Sequence, residues 1–411
     1  MRPFTSTISF EEARRRLSHA VNPIARTERL ELERASGRVA AEDVTSSIDV
    51  PPFARSAMDG YALVAADTAA ATVGAPVGLR IVERIYTGQT PRTAIVSGTC
   101  AEIATGAPLP DGADAVVMVE QTQADGDSRV LVATAAAPGQ NVGRRGADIS
   151  TGSVVVHRGD VLNPGRVGAV AAIGRGDIEV YARPRVAILS TGNEVIEPGR
   201  PLGPGQIFDV NRFTLAAIVG THGGVADARR PVDDTVASLG AALDACAGAD
   251  IIVFSGGSSV GERDLIVDLI AARGEMIFHG IAVKPGKPTA FARVALTGTT
   301  GAATGTPFFG MPGNPTSCLS NAYVLLVPFL RAVARLPELP DRSVRVPLGR
   351  RIVSQAGRLQ FYTVKIERGV AVPAFKGSGD ITSLSQADGY IQIPADQSVV
   401  EEGSDVEVTL F

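Results

Sequence analysis

Several residue types and patterns are scarce in this chain of 411 residues, and their scarcity excludes several classes of protein. The three cysteines, Cys100, Cys246 and Cys318, lie far apart and form no CxxC or Cys/His pair, so neither a disulfide framework nor a zinc site is expected. The four histidines lack the spacing of helical metal ligands. A net charge of −4 and the lack of long Lys/Arg runs argue against a nucleic-acid-binding surface.

The motifs of several common enzyme folds are also missing. The sequence contains no Gly-x-Ser-x-Gly and no cysteine with a motif-placed histidine, so nucleophilic acyl chemistry has no support. Neither a P-loop nor a Rossmann glycine fingerprint is present. No apolar run approaches the ~20 residues that span a bilayer, and no signal-peptide pattern opens the chain. We therefore expect a cytoplasmic protein that binds neither nucleic acid nor a membrane.

What the sequence does contain is a set of glycine-rich loops, each following an apolar, strand-like run. They are Ser190–Glu194, Ser255–Asp264 and Met311–Pro315, and Lys284-Pro-Gly-Lys-Pro288 stands between the last two. In an open α/β sheet such loops gather at the carboxyl ends of the strands, where ligands bind. Glycines let backbone amides approach an anion, lysines add charge, and carboxylates hold a metal. The combination predicts a phosphorylated or oxyanionic ligand.

The pattern of apolar residues and turn residues changes along the chain and predicts several domains. Residues 1–47 and 139–180 form one elongated helical–strand domain, and residues 48–138 form a β-rich domain inserted into it. Residues 181–336 alternate strands with helices, which predicts a βαβ domain with a parallel sheet buried on both faces. After a proline-bounded linker, alternating segments in residues 341–411 predict a small β-barrel. The fold class is therefore multidomain, α/β and β.

Individual elements can also be predicted. Ser9 and Glu12 have the spacing of a capping box, in which Glu12 reaches back to the Ser9 amide. Helices are expected at about 10–20, 162–174, 211–222, 233–247, 264–273 and 316–335. Strands are expected at 77–85, 115–119, 129–134, 186–190, 250–254, 343–349, 360–366, 370–375, 389–393 and 405–410.

Each candidate site residue also has a plain structural explanation. Asp59, followed by Gly60, is typical of a turn, and Asp233 is well placed to cap a helix. Asp264 ends the longest glycine-rich loop and opens a helix whose dipole attracts an anion, although a purely structural loop explains the glycines as well. Lys284 and Lys287 are either ligands of an anion or a solvated pair.

Taken together, the motifs closely resemble those of the molybdopterin molybdenumtransferases (molybdenum insertases) and of the E domain of gephyrin. The matching segments, in chain order, are Ser56–Ala62, Thr105–Pro110 with Gly112–Asp114, Arg145–Ile149, Ser190–Glu194, Ser255–Gly261 with Asp264, Lys284–Pro288 and Pro312–Pro315. They extend over nearly the whole chain. The resemblance implies the four domains described above, with residues 181–336 as the molybdopterin-binding domain.

The resemblance also implies a reaction and a set of site residues. Adenylated molybdopterin and molybdate would combine, and cleavage of the pyrophosphate link would release molybdenum cofactor and AMP. Magnesium would be the cofactor, held by the carboxylates of Glu194, Asp233 and Asp264. The residues expected to bind the substrate are Ser255, Gly256, Gly257, Ser258, Gly261, Lys284, Lys287, Pro312 and Pro315.

Asp59 and Thr105, with Asp264, match catalytic positions of the family. Asp59 and Thr105 would reach the site from the neighbouring subunit, because the resemblance implies a homodimer with shared active sites. It also implies the molybdopterin adenylyltransferase as a partner. The sequence departs from the family at Glu102, an unexpected negative charge near Thr105, and at Val210, which replaces a frequent serine.

Two other classes of function remain open from the sequence. An adenylyltransferase-like nucleotide enzyme would share the glycine-rich loop that ends at Asp264, but it would lack the segments with Asp59 and Thr105. A non-catalytic scaffold of the same fold would have no need of the carboxylates, yet Asp59, Glu194, Asp233 and Asp264 are all present. The intact carboxylates favour an enzyme.

Overall fold

The computed structural model describes residues 7–233, 235–256, 265–296, 305–340 and 342–411. The chain divides into two compact units. The first contains the residues up to Glu28 and those from Tyr181 to Phe411, and the second contains Arg29–Val180. This division places the N-terminal helix with the α/β and C-terminal regions, whereas the sequence assigned it to the elongated domain. The finer four-domain boundaries stay predictions.

The first unit is built on a six-stranded sheet. Its strands, in spatial order, are Val225–Ala228, Arg185–Ser190, Ile251–Ser255, Thr306–Met311, Ala290–Val294 and Gly274–His279. The first four are parallel, but the last two run antiparallel to their neighbours, so the sheet is mixed and not wholly parallel as expected. Too few residues separate Ala290–Val294 from Thr306–Met311 for the crossover that a parallel pair needs.

Helices cover both faces of this sheet, as the continuous apolar strands predict. Val186 and Ile188 pack into one core, while Ala187 and Leu189 pack into a second core on the opposite face. The helices of the unit are Phe10–His19, Asn211–Thr221, Val236–Asp244, Leu265–Arg273, Pro315–Asn321, Val327–Val333 and Thr382–Ser385.

The N-terminal helix Phe10–His19 confirms one half of the predicted capping box. The Ser9 hydroxyl accepts a hydrogen bond from the Glu12 amide at 3.1 Å. The Glu12 carboxylate does not cap the Ser9 amide; it pairs with Arg15 and Arg16 at 2.7 Å each, because two guanidinium groups lie one turn ahead of it. The buried Phe10 ring packs edge-on against Phe361 and anchors the helix to the core.

The segment Pro315–Val333 is long and apolar enough, by length and composition, to cross a membrane, contrary to the expectation that no apolar run approaches that length. However, 72% of it is buried inside the fold, as in the core helix of a globular protein. It is also interrupted by a π-helical stretch, Ala322–Leu326, just before Pro328. Proline has no N–H to donate to the preceding turn, which accounts for the irregular hydrogen bonding there.

The C-terminal part of the first unit is a second sheet. Its strands Ser343–Pro347, Leu359–Glu367, Val370–Pro373, Gly389–Ile393 and Asp405–Leu410 agree with the predicted positions. Ile352–Val353 pairs with Val399–Val400 beside it. The short strand Val283–Lys284 joins the edge of this sheet, so the lysine-containing loop begins where the α/β and C-terminal regions meet.

The second unit also contains a six-stranded sheet, whose strands lie between residues 60 and 132, within the region expected to be rich in β-structure. In spatial order its strands are Ala115–Met118, Gly60–Leu63, Thr99–Ile103, Val77–Ile85, Arg129–Val132 and Thr122–Ala124. Shorter pairs are Arg55–Ser56 with Val142–Gly143 and Val44–Thr45 with Val154–Val156. Thr27–Glu31 pairs with Asp177–Tyr181 where the chain passes from one unit to the other. The predicted helix is Pro164–Ala172, capped by the Asn163 side chain.

Candidate functional site

The glycine-rich loops of the first unit leave the sheet at one edge. Ser190 lies beside Ser255, and Ser255 lies beside Met311, in the register of three neighbouring parallel strands. Each of these residues is the last of its strand, so the loops that follow all start at the carboxyl edge. This is the position at which open α/β sheets bind ligands. The structure therefore brings the starting points of the three predicted loops together.

The loop after Ser190 is hydrogen-bonded to two neighbouring segments of the chain. The Thr191 amide donates to the Ser255 carbonyl at 3.1 Å, and the Thr191 hydroxyl donates to the Val232 carbonyl at 3.2 Å. Glu194 ends this loop, and Asp233 follows Val232 directly. The two predicted metal ligands therefore stand on adjacent segments.

The carboxylates of Glu194 and Asp233 are both exposed, and neither makes a hydrogen bond or ion pair with any residue in the described part of the chain. Asp233 is not the helix cap that a structural explanation requires. The helix begins later, at Val236, and the Thr235 hydroxyl caps it by accepting from the Ser238 amide. Both carboxylates therefore remain available to a cation.

Gly256 is required by the close approach of two loops. Its φ is +112°, in the region that favours glycine, and a side chain there would collide with the Thr191 carbonyl. The next residues of the motif lie outside the described residues, and with them the predicted positions Gly257, Ser258, Gly261 and Asp264. What the structure fixes is the start of the loop, at Ser255 and Gly256.

Asn211, the first residue of the helix Asn211–Thr221, links two of the loops, and the sequence analysis assigned it no role. Its side-chain amide donates to the Ser255 hydroxyl at 2.7 Å and to the Gly313 carbonyl at 2.8 Å. These partners are distant in sequence, so no local pattern predicts the contacts. The sequence signal nearest to it is the departure at Val210, in the segment Asp209-x-Asn211.

The departure at Val210 has little local effect on the helix. The Asp209 carboxylate accepts a hydrogen bond from the Arg212 amide at 3.0 Å, so it caps the helix in place of the residue at 210. A serine at position 210 would have placed a hydroxyl beside Asp209, which already caps the helix.

The lysine-containing loop is half-buried at Lys284 and Lys287. Val283 and Lys284 lie beside Leu359 and Gln360 of the C-terminal sheet. In the described part of the chain, the Lys284 ammonium has no ion-pair partner, which leaves its charge available to an anion.

Pro312 and Pro315 bound a loop that is held by the C-terminal region. Pro312 is buried, and Pro315 opens the helix Pro315–Asn321, a position that suits proline. The Asn314 side chain donates to the Ser378 hydroxyl at 3.0 Å, and the Thr316 amide donates to the Ser378 carbonyl at the same distance. The segment that contains both prolines is therefore held by Ser378, and their part in shaping the wall of the site stays a prediction.

In the second unit, the structure brings Asp59 and Thr105 into direct contact. The Asp59 carboxylate accepts from the Thr105 amide at 2.7 Å and from the Thr105 hydroxyl at 2.9 Å. These hydrogen bonds, the backbone one first, lower the pKa of Asp59 below its usual range. Asp59 does lie in a bend before the strand Gly60–Leu63, but its side chain is directed at a second predicted site residue.

The departure at Glu102 is balanced locally. Glu102 lies on the strand Thr99–Ile103, and its carboxylate pairs with Arg84 at 2.8 Å on the neighbouring strand. The extra negative charge therefore has a positive partner.

The described residues contain no group of three or more His, Cys, Asp or Glu side chains that could hold a metal ion. Of the three predicted ligands, Glu194 and Asp233 belong to the described part and Asp264 does not. Two exposed oxygen donors on adjacent loops agree with the chemistry of Mg²⁺, which prefers oxygen ligands and keeps several waters.

Comparison with known proteins agrees with this geometry. Residues 8–174 match the family described as "MoeA N-terminal region (domain I and II)", and residues 345–411 match "MoeA C-terminal region (domain IV)". Between them, residues 187–332 match "Probable molybdopterin binding domain". Molybdopterin molybdenumtransferase 2 of Mycobacterium tuberculosis is 36% identical over 92% of this chain and 93% of its own. The chain belongs to the molybdopterin molybdenumtransferase family.

Other relatives support this assignment. Molybdopterin molybdenumtransferase of Haemophilus influenzae is 31% identical over 98% of both chains. Two solved structures of the molybdopterin biosynthesis MoeA protein from Pyrococcus horikoshii have TM-scores of 0.84 and 0.80, with identities of 37% and 30%. They cover 98% and 99% of this chain and 99% and 100% of their own. The predicted resemblance is confirmed, and the chain has the MoeA-type multidomain fold.

Proposed function

We propose that this enzyme transfers molybdenum from molybdate to adenylated molybdopterin and releases molybdenum cofactor and AMP, as a step of molybdenum cofactor biosynthesis. The relatives named molybdopterin molybdenumtransferase support the transfer itself. Adenylated substrate and dependence on Mg²⁺ come from the family resemblance. The observation that carries the proposal is the convergence of the loops at Ser190, Ser255 and Met311 on one edge of the sheet.

Magnesium would be held by Glu194 and Asp233, with Asp264 as the third predicted ligand. Within the described ranges, the carboxylate oxygens of the first two have no hydrogen-bond or ion-pair partner, which fits a hard cation. A bound Mg²⁺ would neutralise charge that develops on the pyrophosphate as it is cleaved. The protein's own part would be to present these carboxylates from neighbouring segments, since Thr191, at the start of the loop with Glu194, donates to the carbonyl of Val232 beside Asp233.

The substrate would be bound by backbone amides and lysines. Ser255 and Gly256 begin a loop whose following members, Gly257, Ser258 and Gly261, are the predicted phosphate cradle. Lys284 and Lys287 would hold the oxyanion or the pterin phosphate from a loop bounded by prolines. Asp59 is an ionised, oriented acceptor, fixed by Thr105, and is suited to receive a proton or to hold a water.

The direct test mixes the purified protein with adenylated molybdopterin, molybdate and Mg²⁺ and measures AMP. We expect AMP release that requires all three components. AMP release that does not depend on molybdate would contradict molybdenum transfer. Formation of adenylated molybdopterin from molybdopterin and ATP would favour the adenylyltransferase alternative. Binding without turnover would favour the non-catalytic scaffold.

A homodimer with shared active sites is a further part of the proposal, and it rests on the family resemblance. Asp59→Ala and Asp233→Ala homodimers should each be inactive. A heterodimer of the two variants should regain one complete site and about half of the wild-type activity. Differently tagged chains, co-expressed and purified as the heterodimer, provide the measurement. A folded heterodimer without activity would contradict the shared site.

The molybdopterin adenylyltransferase is the proposed protein partner, since it would supply the adenylated substrate, and the cytoplasm is the proposed location. Mixing the two purified proteins and following complex formation by sedimentation tests the first point. A complex that forms only when the adenylyltransferase carries its product would agree with direct transfer of the substrate. If the proteins sediment separately under all conditions, the substrate must diffuse between them.

A further inference from the structure

A buried asparagine supports the lysine-containing loop. Asn321 is the last residue of the helix Pro315–Asn321, and none of its surface is exposed. Its side-chain amide nitrogen donates to the Gly286 carbonyl at 2.9 Å and to the Thr289 hydroxyl at 2.6 Å. The Thr289 hydroxyl in turn donates to the Gly286 carbonyl at 2.9 Å. The three groups form a closed set of hydrogen bonds around Gly286, one of the two residues between the lysines.

The loop also lies directly against this side chain. Gly286 has a φ of +99°, and a side chain at that position would collide with the amide of Asn321. Glycine is therefore required at 286 both by the backbone conformation and by the contact. The Lys287 carbonyl accepts from the Ile281 amide at 2.9 Å, and Lys284 lies beside Gln360. Asn321 holds the middle of a loop whose two ends are already fixed.

Only the nitrogen of the Asn321 amide group is hydrogen-bonded among the described residues, which is not the arrangement that would stabilise the fold most. Its amide oxygen is buried and has no partner among the described residues. A buried polar atom without a partner costs free energy, and an apolar side chain of similar volume would avoid that cost. An amide at this position is therefore better explained by what its nitrogen holds than by packing.

We propose that Asn321 is a positioning residue that fixes Lys284 and Lys287 for binding of an oxyanion. The inference rests on the proposed function, in which these lysines bind the anionic substrate. The helix Pro315–Asn321 connects the two loops involved, because it begins at Pro315 and ends at Asn321. Asn321 thus links the lysine-containing loop to the helix that begins at Pro315.

The first test measures the loop without any ligand. Asn321→Leu keeps the branched shape of the side chain and removes its donors, and the smaller Asn321→Ala is a second variant in case the first fails to fold. Thr68→Val is the matched control, because Thr68 is equally buried in the second unit and its hydroxyl also makes two hydrogen bonds. We expect faster amide hydrogen exchange over residues 281–289 in the Asn321 variants and not in the control. Unchanged exchange over these residues would overturn the proposal.

The second test measures the lysines through molybdate binding, with calorimetric titrations at two ionic strengths. Replacing Lys284 and Lys287 by Gln should weaken binding and flatten its salt dependence. Asn321→Leu should do the same to a smaller extent, by up to about 10-fold, which is within the coupling expected of residues in contact. Added to the lysine double variant, it should cause no further loss.

A purely structural role predicts a different pattern. If Asn321→Leu weakened binding equally with and without the lysines, it would act through something other than them, and the inference would be overturned alone. If the lysine variant bound molybdate like wild type, the lysine assignment and the inference would both fail. AMP release is measured with the same variants, so that a failure of the proposed reaction is recognised separately from a failure of the inference.

Discussion

Carboxylates in the two units are held in opposite ways. In the first unit, Glu194 and Asp233 are exposed at the carboxyl edge of the sheet and make no hydrogen bond or ion pair within the described ranges. In the second unit, Asp59 is equally exposed but accepts two hydrogen bonds from Thr105, which lower its pKa. Among the described residues, the carboxylate oxygens of Glu194 and Asp233 therefore keep their full capacity to accept hydrogen bonds or bind a cation, whereas Asp59 already uses part of that capacity.

The difference indicates different tasks. A carboxylate that already accepts hydrogen bonds from the protein is ionised and oriented, but it has fewer lone pairs left for a metal. Carboxylates without protein partners keep all their oxygen lone pairs and are available to a cation. We therefore expect Mg²⁺ to depend on Glu194 and Asp233, and we expect Asp59 to act on the substrate or on a water. The following predictions test this contrast, beginning with the largest effect.

Asp264→Asn should have the largest effect, because it removes the predicted third metal ligand. Asp264 lies outside the described residues, so this prediction rests on the sequence motif. We expect AMP release to fall at least about 100-fold, because replacing residues that only support metal ligands already lowers metal affinity or activity by about 10- to 100-fold. Circular dichroism and the melting temperature should stay near those of wild type. Unchanged AMP release at saturating Mg²⁺ would remove Asp264 from the site.

Thr105→Val should have an intermediate effect, confined to the Asp59 carboxylate. It removes the hydroxyl donor but keeps the backbone amide donor, so the pKa of Asp59 should rise towards its usual value without reaching it. The carboxyl resonance of Asp59, followed by NMR against pH, measures this shift. A pKa that stays as low as in wild type would mean that the hydroxyl contributes nothing.

The same lowered pKa has a consequence for stability. Because the pKa of Asp59 is lower in the folded chain than in the unfolded one, its contribution is present above about pH 4 and is lost as the pH falls further. Thr105→Val should therefore reduce stability at pH 7 more than at pH 2. Urea titrations at the two pH values check the sign, and an equal loss at both would contradict it.

Glu102→Gln should have the smallest effect. Glu102 and Arg84 form an exposed pair between neighbouring strands, and such pairs contribute less than about 1 kcal/mol to stability. We expect a small change in the melting temperature and AMP release near that of wild type. A large gain in activity would show that the charge at 102 does disturb the binding of an anion.

Much of this fold follows from local sequence patterns. The hydroxyl of Ser9 caps its helix as predicted, and the apolar runs at 186–189 and 251–254 are buried strands. Local patterns fail where nearby groups compete for one side chain, and also where partners are distant in sequence. The Glu12 carboxylate pairs with Arg15 and Arg16 and not with the Ser9 amide. The residues of the two antiparallel edge strands form no sequence pattern that gives the direction of those strands.

The candidate site shows the same division. The loops and their acidic and basic residues could be found from motifs, because glycine, lysine and carboxylate side chains carry chemistry that is readable at short range. Asn211 and Asn321 could not, since their hydrogen bonds reach loops up to 102 and 35 residues away. An isolated asparagine in a helix does not reveal which loop it will meet.

The most direct test of the contrast between the two units is a titration of AMP release with Mg²⁺. Wild type, Asp233→Asn and Asp59→Asn are compared at saturating adenylated molybdopterin and molybdate. The account predicts that Asp233→Asn raises the Mg²⁺ concentration needed for half-maximal activity by about 10-fold or more. It predicts that Asp59→Asn lowers the maximal rate and leaves that concentration unchanged. An unchanged Mg²⁺ requirement in Asp233→Asn, or a raised one in Asp59→Asn, would contradict the division of tasks between them.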